Sequence, residues 1–360
     1  MNDPQPNSRL IRVLVADDSA FMRTALTRMI ESDPSLRVSD TAQNGGEALE
    51  KIRLNQPDVV TLDVEMPGLN GLETLRRIMK DYPLPVIMVS SLTQEGAETT
   101  LEALDIGAFD YIPKQLSYVS LDIIKIRDDL IAKIKAAAEM GRRPIRKPTA
   151  STAAAGSTVH SPFSVVPEII ALGTSTGGPK ALQQILPLLP ADLPVSVLIV
   201  QHMPPGFTAP LAHRLNNLCK ISVREATQGE AIAPGVVYIA PAGLHMTISR
   251  PASSSAALHL SHSPEGMPHK PSVDVMMLSV ADTFRGLCMG VIMTGMGADG
   301  LQGMRAIANA GGLTVGQDEA SCTVYGMPRS CAEAGVLRRI VPLVDIPAAI
   351  LQATRYRKGA

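Results

Sequence analysis

The sequence predicts two α/β domains joined by a linker, each a doubly wound, mostly parallel sheet with helices on both faces. Three observations carry that expectation. Strand-like runs rich in Val, Ile and Leu alternate with helix-compatible stretches along most of the chain. The length of 360 residues exceeds one average domain and suits two. A segment from Arg142 to Ser164, rich in Ala, Ser, Thr and Pro, interrupts the pattern and cannot bury enough apolar surface to hold a fold. In the N-terminal part the strand-like runs are Arg12 to Ala16, Val59 to Leu62, Val86 to Val89 and Tyr111 to Ile112. From Leu121 to Met140, the apolar residues Leu121, Ile124, Leu130, Ile131 and Ile134 fall close to helical spacing, which predicts a helix leading into the linker. The C-terminal part repeats the alternation on a larger scale. The expected domains are residues 9–128, a helix and flexible linker over 129–164, and residues 165–355.

Composition narrows the function. Apolar residues make up 45%, enough for two cores, while aromatic residues are only 3% with no Trp, so aliphatic side chains and Met do the packing. The net charge of -1 leaves no electrostatic footprint for nucleic acid. Cys219, Cys288, Cys322 and Cys331 show no C-x-x-C pairing and lie among apolar or small residues, which predicts buried free thiols in a reducing compartment. No apolar run reaches the length of a membrane span, and Met1 to Arg9 is polar and lacks a signal-peptide core. The expected location is cytoplasmic, with no membrane insertion.

The most informative motif is Gly173-Thr174-Ser175-Thr176-Gly177, a G-x-S-x-G sequence directly after the apolar run Ile169 to Leu172. Glycines on both sides let a chain turn sharply from strand to helix, lifting the serine oxygen clear and leaving backbone N–H groups to face a developing oxyanion. His202 ends the run Val195 to Gln201, and Asp299 follows Val291-Ile292-Met293 across the turn Thr294 to Ala298. All three are expected just past the carboxyl ends of buried strands, where open α/β sheets keep their ligands. The base must take a proton near neutral pH, which points to His. His213 falls in a predicted helix, and His259, His262 and His269 lie in or beside a Ser- and Pro-rich segment. His245 is the rival, but it opens a strand rather than closing one.

Two other readings compete with a hydrolase. Gly295-Met296-Gly297-Ala298-Asp299-Gly300 fits G-x-G-x-x-G after a strand, with Asp318 farther on, as an NAD(P)-dependent oxidoreductase requires. Such a fingerprint normally begins its domain, whereas this one falls late, and Asp299 within the turn would repel a pyrophosphate. An ordinary α/β-hydrolase is the other, but that fold places the acid before the histidine, and this chain runs Ser175, His202, Asp299. Asp274, in Pro271-Ser272-Val273-Asp274, is expected in the first turn of a helix, favoured there by the dipole.

The N-terminal part has its own chemistry. Asp17 and Asp18 end the first strand run, Asp63 ends another, and Ser90 and Lys114 end two more. Carboxylates converging at one sheet edge favour a divalent cation such as Mg²⁺. The pair Asp17-Asp18, the stretch Asp63 to Gly71, the Val89-Ser90-Ser91 strand end and Lys114 together resemble the flavodoxin-like receiver domain of two-component response regulators, over about the first third of the chain. The resemblance implies that Asp63 is the phosphoacceptor for a histidine kinase. It also implies that Asp17, Asp18 and Asp63 hold Mg²⁺ with a backbone carbonyl near Glu65, and that Ser90 and Lys114 sense the phosphate. One departure is visible, since Pro113 precedes Lys114 where receivers usually have Lys-Pro.

The stretches Gly173 to Pro179, Gln201-His202-Met203-Pro204, Pro271 to Asp274 and Thr294 to Gly300 are similar to the protein-glutamate methylesterases of bacterial chemotaxis, the CheB family, and the similarity covers both domains and their order. The resemblance implies a phosphorylation-regulated serine hydrolase that removes methyl groups from glutamate side chains of methyl-accepting chemoreceptors, and in many members also deamidates receptor glutamines. Ser175, His202 and Asp299 are then the triad, with the backbone N–H groups of Thr176 and Met296 as oxyanion donors. The esterase step is expected to need no cofactor, with Mg²⁺ belonging to the receiver alone.

Overall fold

The computed structural model describes residues 9–91, 93–114, 122–142, 165–250 and 255–357. Apart from its first residue, the expected linker lies outside the described residues. The chain divides into two compact units, Met1–Thr152 and Ala153–Ala360.

The first unit is built on β1 (Ile11–Ala16), β2 (Leu36–Ala42), β3 (Val59–Asp63), β4 (Val86–Ser90) and β5 (Asp110–Pro113). They form one sheet in the order β2-β1-β3-β4-β5, with every pairing parallel. That is the flavodoxin-like order, with its switch point between β1 and β3. β3 and β4 are buried at every position and mostly apolar, as strands covered on both faces are, with Asp63 and Ser90 as their last residues. β2 has no such signal in the sequence: it is an edge strand buried only at Leu36 and Ala42, with polar residues between. The helices start on side-chain caps, with Ser19, Asn44, Asn70 and Thr93 each accepting the backbone N–H three residues on.

The helix Asp122–Arg142 runs straight across the boundary expected at residue 128. Its apolar stripe does not stop there: Leu130, Ile134, Ala137 and Ala138 are buried. Lys135 Nζ reaches Asp33 at 2.6 Å, and Lys133 Nζ reaches Asp110 at the start of β5 at 3.4 Å. The helix thus closes the first unit instead of leading out of it, because its periodic apolar face needs that unit's core for burial.

The second unit adds β6 (Ile169–Thr174), β7 (Ser196–Gln201), β8 (Ser222–Glu225), β9 (Val236–Ile239), β10 (His245–Ser249), β11 (Ala257–Ser261), β12 (Cys288–Ile292), β13 (Leu313–Gln317) and β14 (Arg339–Val341). Seven of them form one sheet in the order β14-β13-β12-β6-β7-β9-β8, parallel throughout. β10 and β11 pair separately as an antiparallel hairpin. β6, β7, β12 and β13 are buried at every position. The strand order reverses between β6 and β12, which places the switch point, and the expected crevice, at their carboxyl ends. All four cysteines are free; Cys288, Cys322 and Cys331 are buried, whereas Cys219 is only half-buried because it caps a surface helix.

One close approach in the first unit shapes its site. A Cβ on Gly71 would lie 2.1 Å from the carbonyl oxygen of Asp63 and 2.8 Å from the Cα of Val64. Gly71→Ala should therefore destabilise the first unit by about 1–3 kcal/mol through overpacking against rigid backbone. Urea unfolding of the full chain measures this, and an unchanged midpoint for the first unit's transition would show that the loop relaxes freely.

Candidate active site and phosphoacceptor cluster

In the second unit, Ser175, His202 and Asp299 follow β6, β7 and β12, three neighbouring strands at the switch point. The turn after β6 is sharp because Gly177 adopts φ +76, a left-handed conformation that L side chains rarely take, with Thr323 packed where a side chain would lie. The helix Gly178–Ile185 starts immediately after it. Ser175 N–H donates to Thr294 O at 3.0 Å and Gly178 N–H donates to Ser175 O at 2.7 Å, so the elbow is held on both sides.

Asp299 is the most heavily bonded group of the site. Its Oδ2 faces His202 Nε2 at 2.8 Å and accepts the Val273 N–H at 2.8 Å. Oδ1 accepts the Ser272 hydroxyl at 2.9 Å and the Asp274 N–H at 3.0 Å. The carboxylate therefore sits on the N-terminus of the helix Val273–Phe284, where unpaired N–H groups and the dipole favour negative charge. Burial pushes its pKa up, but the His202 bond and charge and the helix N–H groups outweigh that and hold it well below the ordinary carboxylate range. With Nε2 committed to Asp299, Nδ1 is the nitrogen of His202 left to face the serine; it is buried and has no hydrogen-bond partner among the described residues. The Ser175–His202 bond is thus open here, as in many unliganded sites.

His245, the rival base, is fully buried with both nitrogens engaged: Nδ1 accepts the Ser272 N–H at 3.2 Å, which places the proton on Nε2, 3.1 Å from Pro264 O. Burial first, and the nearby Lys270 charge second, lower its pKa and keep it neutral. Asp274 lies in the first helical turn as expected, and its Oδ1 accepts the Gly303 N–H at 2.8 Å. Asp318, required by the dinucleotide reading, accepts the Ser321 N–H at 3.1 Å in the turn after β13.

Three buried polar residues that the sequence reading passed over hold the loops together. Gln201, at the end of β7, donates from Nε2 to Ser175 O and His202 O, both at 3.0 Å, tying the nucleophile and base loops with one amide. Thr294 accepts the Val324 N–H at 3.0 Å on its hydroxyl, which lies 2.9 Å from Thr176 O. Its own N–H donates to Gln317 Oε1 at 2.8 Å. Thr176 and Met296, the expected oxyanion donors, flank this brace on the loops after β6 and β12. Each of the three polar residues stands at or just past a strand end, the same signal that picked out His202.

In the first unit, the carboxylates of Asp17, Asp18 and Asp63 offer ligand oxygens within 4.8 Å of one another. Asp17 and Asp63 are buried. Lys114 Nζ lies 2.6 Å from Asp63 Oδ2 and 3.5 Å from Asp17 Oδ2, so the displaced proline leaves the lysine charge in the cluster. Burial, reinforced by the Asp17 charge, nevertheless raises the Asp63 pKa to about 6 against the opposing Lys114. Asp17 Oδ2 is buried with no hydrogen-bond partner among the described residues. A buried hard oxygen held only by the longer Lys114 ion pair, beside two further carboxylates, fits a divalent cation. The Ser90 hydroxyl points to the following helix, 3.2 Å from Gly96 O and 2.7 Å from the Thr100 hydroxyl.

Fold and sites together define a two-unit α/β protein in which a flavodoxin-like unit with an acidic cluster precedes a parallel-sheet unit with a Ser-His-Asp constellation. The family model described as CheB methylesterase matches residues 170–350, and that described as response regulator receiver domain matches residues 13–123. The chain belongs to the CheB methylesterase family, with an N-terminal receiver domain. It is 47% identical over 363 residues to the protein-glutamate methylesterase/protein-glutamine glutaminase 2 of Nitratidesulfovibrio vulgaris, covering 95% of this chain and 99% of that one. Identity is also 47% over 342 residues to the protein-glutamate methylesterase/protein-glutamine glutaminase of Halalkalibacterium halodurans, covering 95% and 98%. Among solved structures, the Thermotoga maritima CheB methylesterase catalytic domain is 37% identical with a TM-score of 0.50, covering 52% of this chain and 99% of that one. An oxidoreductase finds no support among these relatives.

The Asp299 environment has a pH consequence. A carboxyl held below its ordinary pKa of 3.8 contributes stability that is complete above that value and is lost as pH falls below it, when the unfolded chain takes up the proton and the folded one does not. Below about pH 4, unfolding free energy of the second unit should fall more steeply with decreasing pH in the wild type than in Asp299→Asn. Parallel slopes in acid denaturation series would mean that Asp299 is not held ionised.

Proposed function

We propose that this chain is a serine hydrolase that demethylates glutamate methyl esters of chemoreceptors, releasing methanol, and deamidates receptor glutamines to glutamate. The observation that carries the reading is the Asp299–His202 pair at the end of β7 beside a strand-end serine, in a chain whose relatives bear those activity names over nearly their whole length. Ser175 Oγ attacks the side-chain carbonyl carbon while His202 Nδ1 takes its proton. Asp299, bonded at Nε2, holds the ring and stabilises the imidazolium. The oxyanion of the tetrahedral intermediate accepts the backbone N–H groups of Thr176 and Met296. Collapse breaks the bond to methoxide, or to the amide nitrogen, and His202 returns the proton so that methanol or ammonia leaves. Water then attacks the glutamyl ester on Ser175 and gives a proton to His202, which passes it to Ser175 Oγ as the acyl–oxygen bond breaks, releasing the glutamate side chain with the serine restored.

In the receiver, Asp63 accepts a phosphoryl group from the histidine kinase of the chemotaxis pathway; Asp17, Asp18 and Asp63 would hold Mg²⁺, which would supply positive charge against the phosphoryl oxygens. Lys114, already beside Asp63, binds the phosphate. Ser90 reaches it by leaving Gly96 O and Thr100, a local exchange of bonds that biases the following helix and so the hydrolase. We assign the whole helix 122–142 to the receiver, beyond the limit at 128 expected from the sequence, and residues 165–355 to the hydrolase. We place the protein in the cytoplasm, where kinase and receptor tails are accessible; among the described residues no helix is long and apolar enough to cross a membrane.

Methanol release from methylated receptor, with and without a small phosphodonor, tests the reading. Ser175→Ala and His202→Ala should lower kcat by at least about a thousand-fold with circular dichroism unchanged, and Asp299→Asn should retain more activity than either. Wild-type rates in Ser175→Ala would remove it from the mechanism. Asp63→Asn should keep the basal rate and lose its response to the phosphodonor; an undiminished response would place control elsewhere.

A further inference from the structure

The ring of His269 lies flat against that of His202, with centroids 4.1 Å apart and planes inclined by 17°. His269 follows the segment beyond β11 and is exposed at the surface, whereas the His202 side chain is only 9% exposed. Resting on the reading of His202 as the base, we propose that His269 is a positioning residue for that base, acting through the stacked face of its ring.

Asp299 grips His202 at a single atom, Nε2, and a hydrogen bond at one atom is a hinge. Rotation about it swings Nδ1 away from the serine without breaking the bond. No other hydrogen bond opposes that swing, since Nδ1 has no partner among the described residues. A flat group packed on the ring face does oppose it, because tilting His202 then requires displacing His269. The same cover keeps water off the ring, which strengthens the Asp299 bond and the transfer of the serine proton. The segment carrying His269 is itself anchored next to the site: Lys270 O accepts the Gly243 N–H at 3.1 Å, and Ser272 bonds both His245 and Asp299. The stack is therefore tied to the same loop that holds the acid.

The test uses the full-length protein, activated by phosphodonor, acting on methylated receptor. His269→Ala should lower kcat by on the order of ten-fold with KM little changed, and its melting temperature should match the wild type because the side chain is exposed. His269→Phe, which keeps a flat ring in place of the imidazole but has no nitrogen, should recover most of that loss. Full activity in His269→Ala overturns the proposal. So does a rise in KM alone, which would make the residue a substrate contact. Equal loss in Ala and Phe variants also overturns it, since the ring nitrogens and not the stacked face would then matter. Ser175→Ala run alongside separates the two readings: activity surviving there refutes the serine mechanism, whatever His269 does.

Discussion

The catalytic unit turns on one buried carboxylate. Asp299 accepts four hydrogen bonds, three of them from the start of the helix Val273–Phe284 and the fourth at His202. A buried negative charge would be strongly unfavourable alone, and the helix N-terminus makes it tolerable by presenting donors already oriented toward it. The arrangement joins what lies on three strands. Asp299 comes from the loop after β12, His202 from the end of β7, and the helix that steadies them from the segment following β11. Gln201 and Thr294 then fix the serine elbow to that frame through backbone carbonyls. Because the frame is hydrogen-bonded through main chain, the site can hold a sharp serine turn without relying on large side-chain packing at the surface.

The receiver solves a related electrostatic problem in the opposite sense. In the catalytic unit, donors surround a single carboxylate and keep it ionised. Around Asp63, burial and a second carboxylate push the pKa up, and one lysine only partly compensates. A cluster with unmet demand for positive charge favours a cation, whereas a satisfied carboxylate does not. The two ends of the chain thus pair a switch with a rigid catalyst, and the same architectural rule, functional groups at the carboxyl ends of parallel strands, positions both.

Much of this was legible in the sequence for a physical reason. Strands buried on both faces read as continuous apolar runs, so polar residues that end them stand out: Asp17, Asp63, Ser90, Lys114, Ser175 and His202 were all found that way. What was missed follows from the same reasoning. Edge strand β2 buries too little to show a pattern. The helix after Leu121 was visible, but not which body its apolar face would join. Gln201 and Thr294 fall in stretches that carry the family resemblance, yet neither is given a role there, since amides and hydroxyls suggest no chemistry of their own. Asp274 is legible as a first-turn carboxylate, but nothing local reveals that Ser272 both caps that helix and meets Asp299 through its hydroxyl. His269 was set aside for its Pro- and Ser-rich surroundings, because a contact across 67 positions between 202 and 269 has no sequence period to announce it.

The central claim is that Ser175 is the nucleophile and that His202, held by Asp299, makes it reactive. Covalent labelling with a fluorophosphonate, located by mass spectrometry of the digested protein, tests it without any receptor. The account predicts one adduct per chain, on the peptide containing Ser175, formed quickly in the wild type and at a small fraction of that rate in His202→Ala. Labelling at another serine, or equal rates in the two proteins, would contradict it.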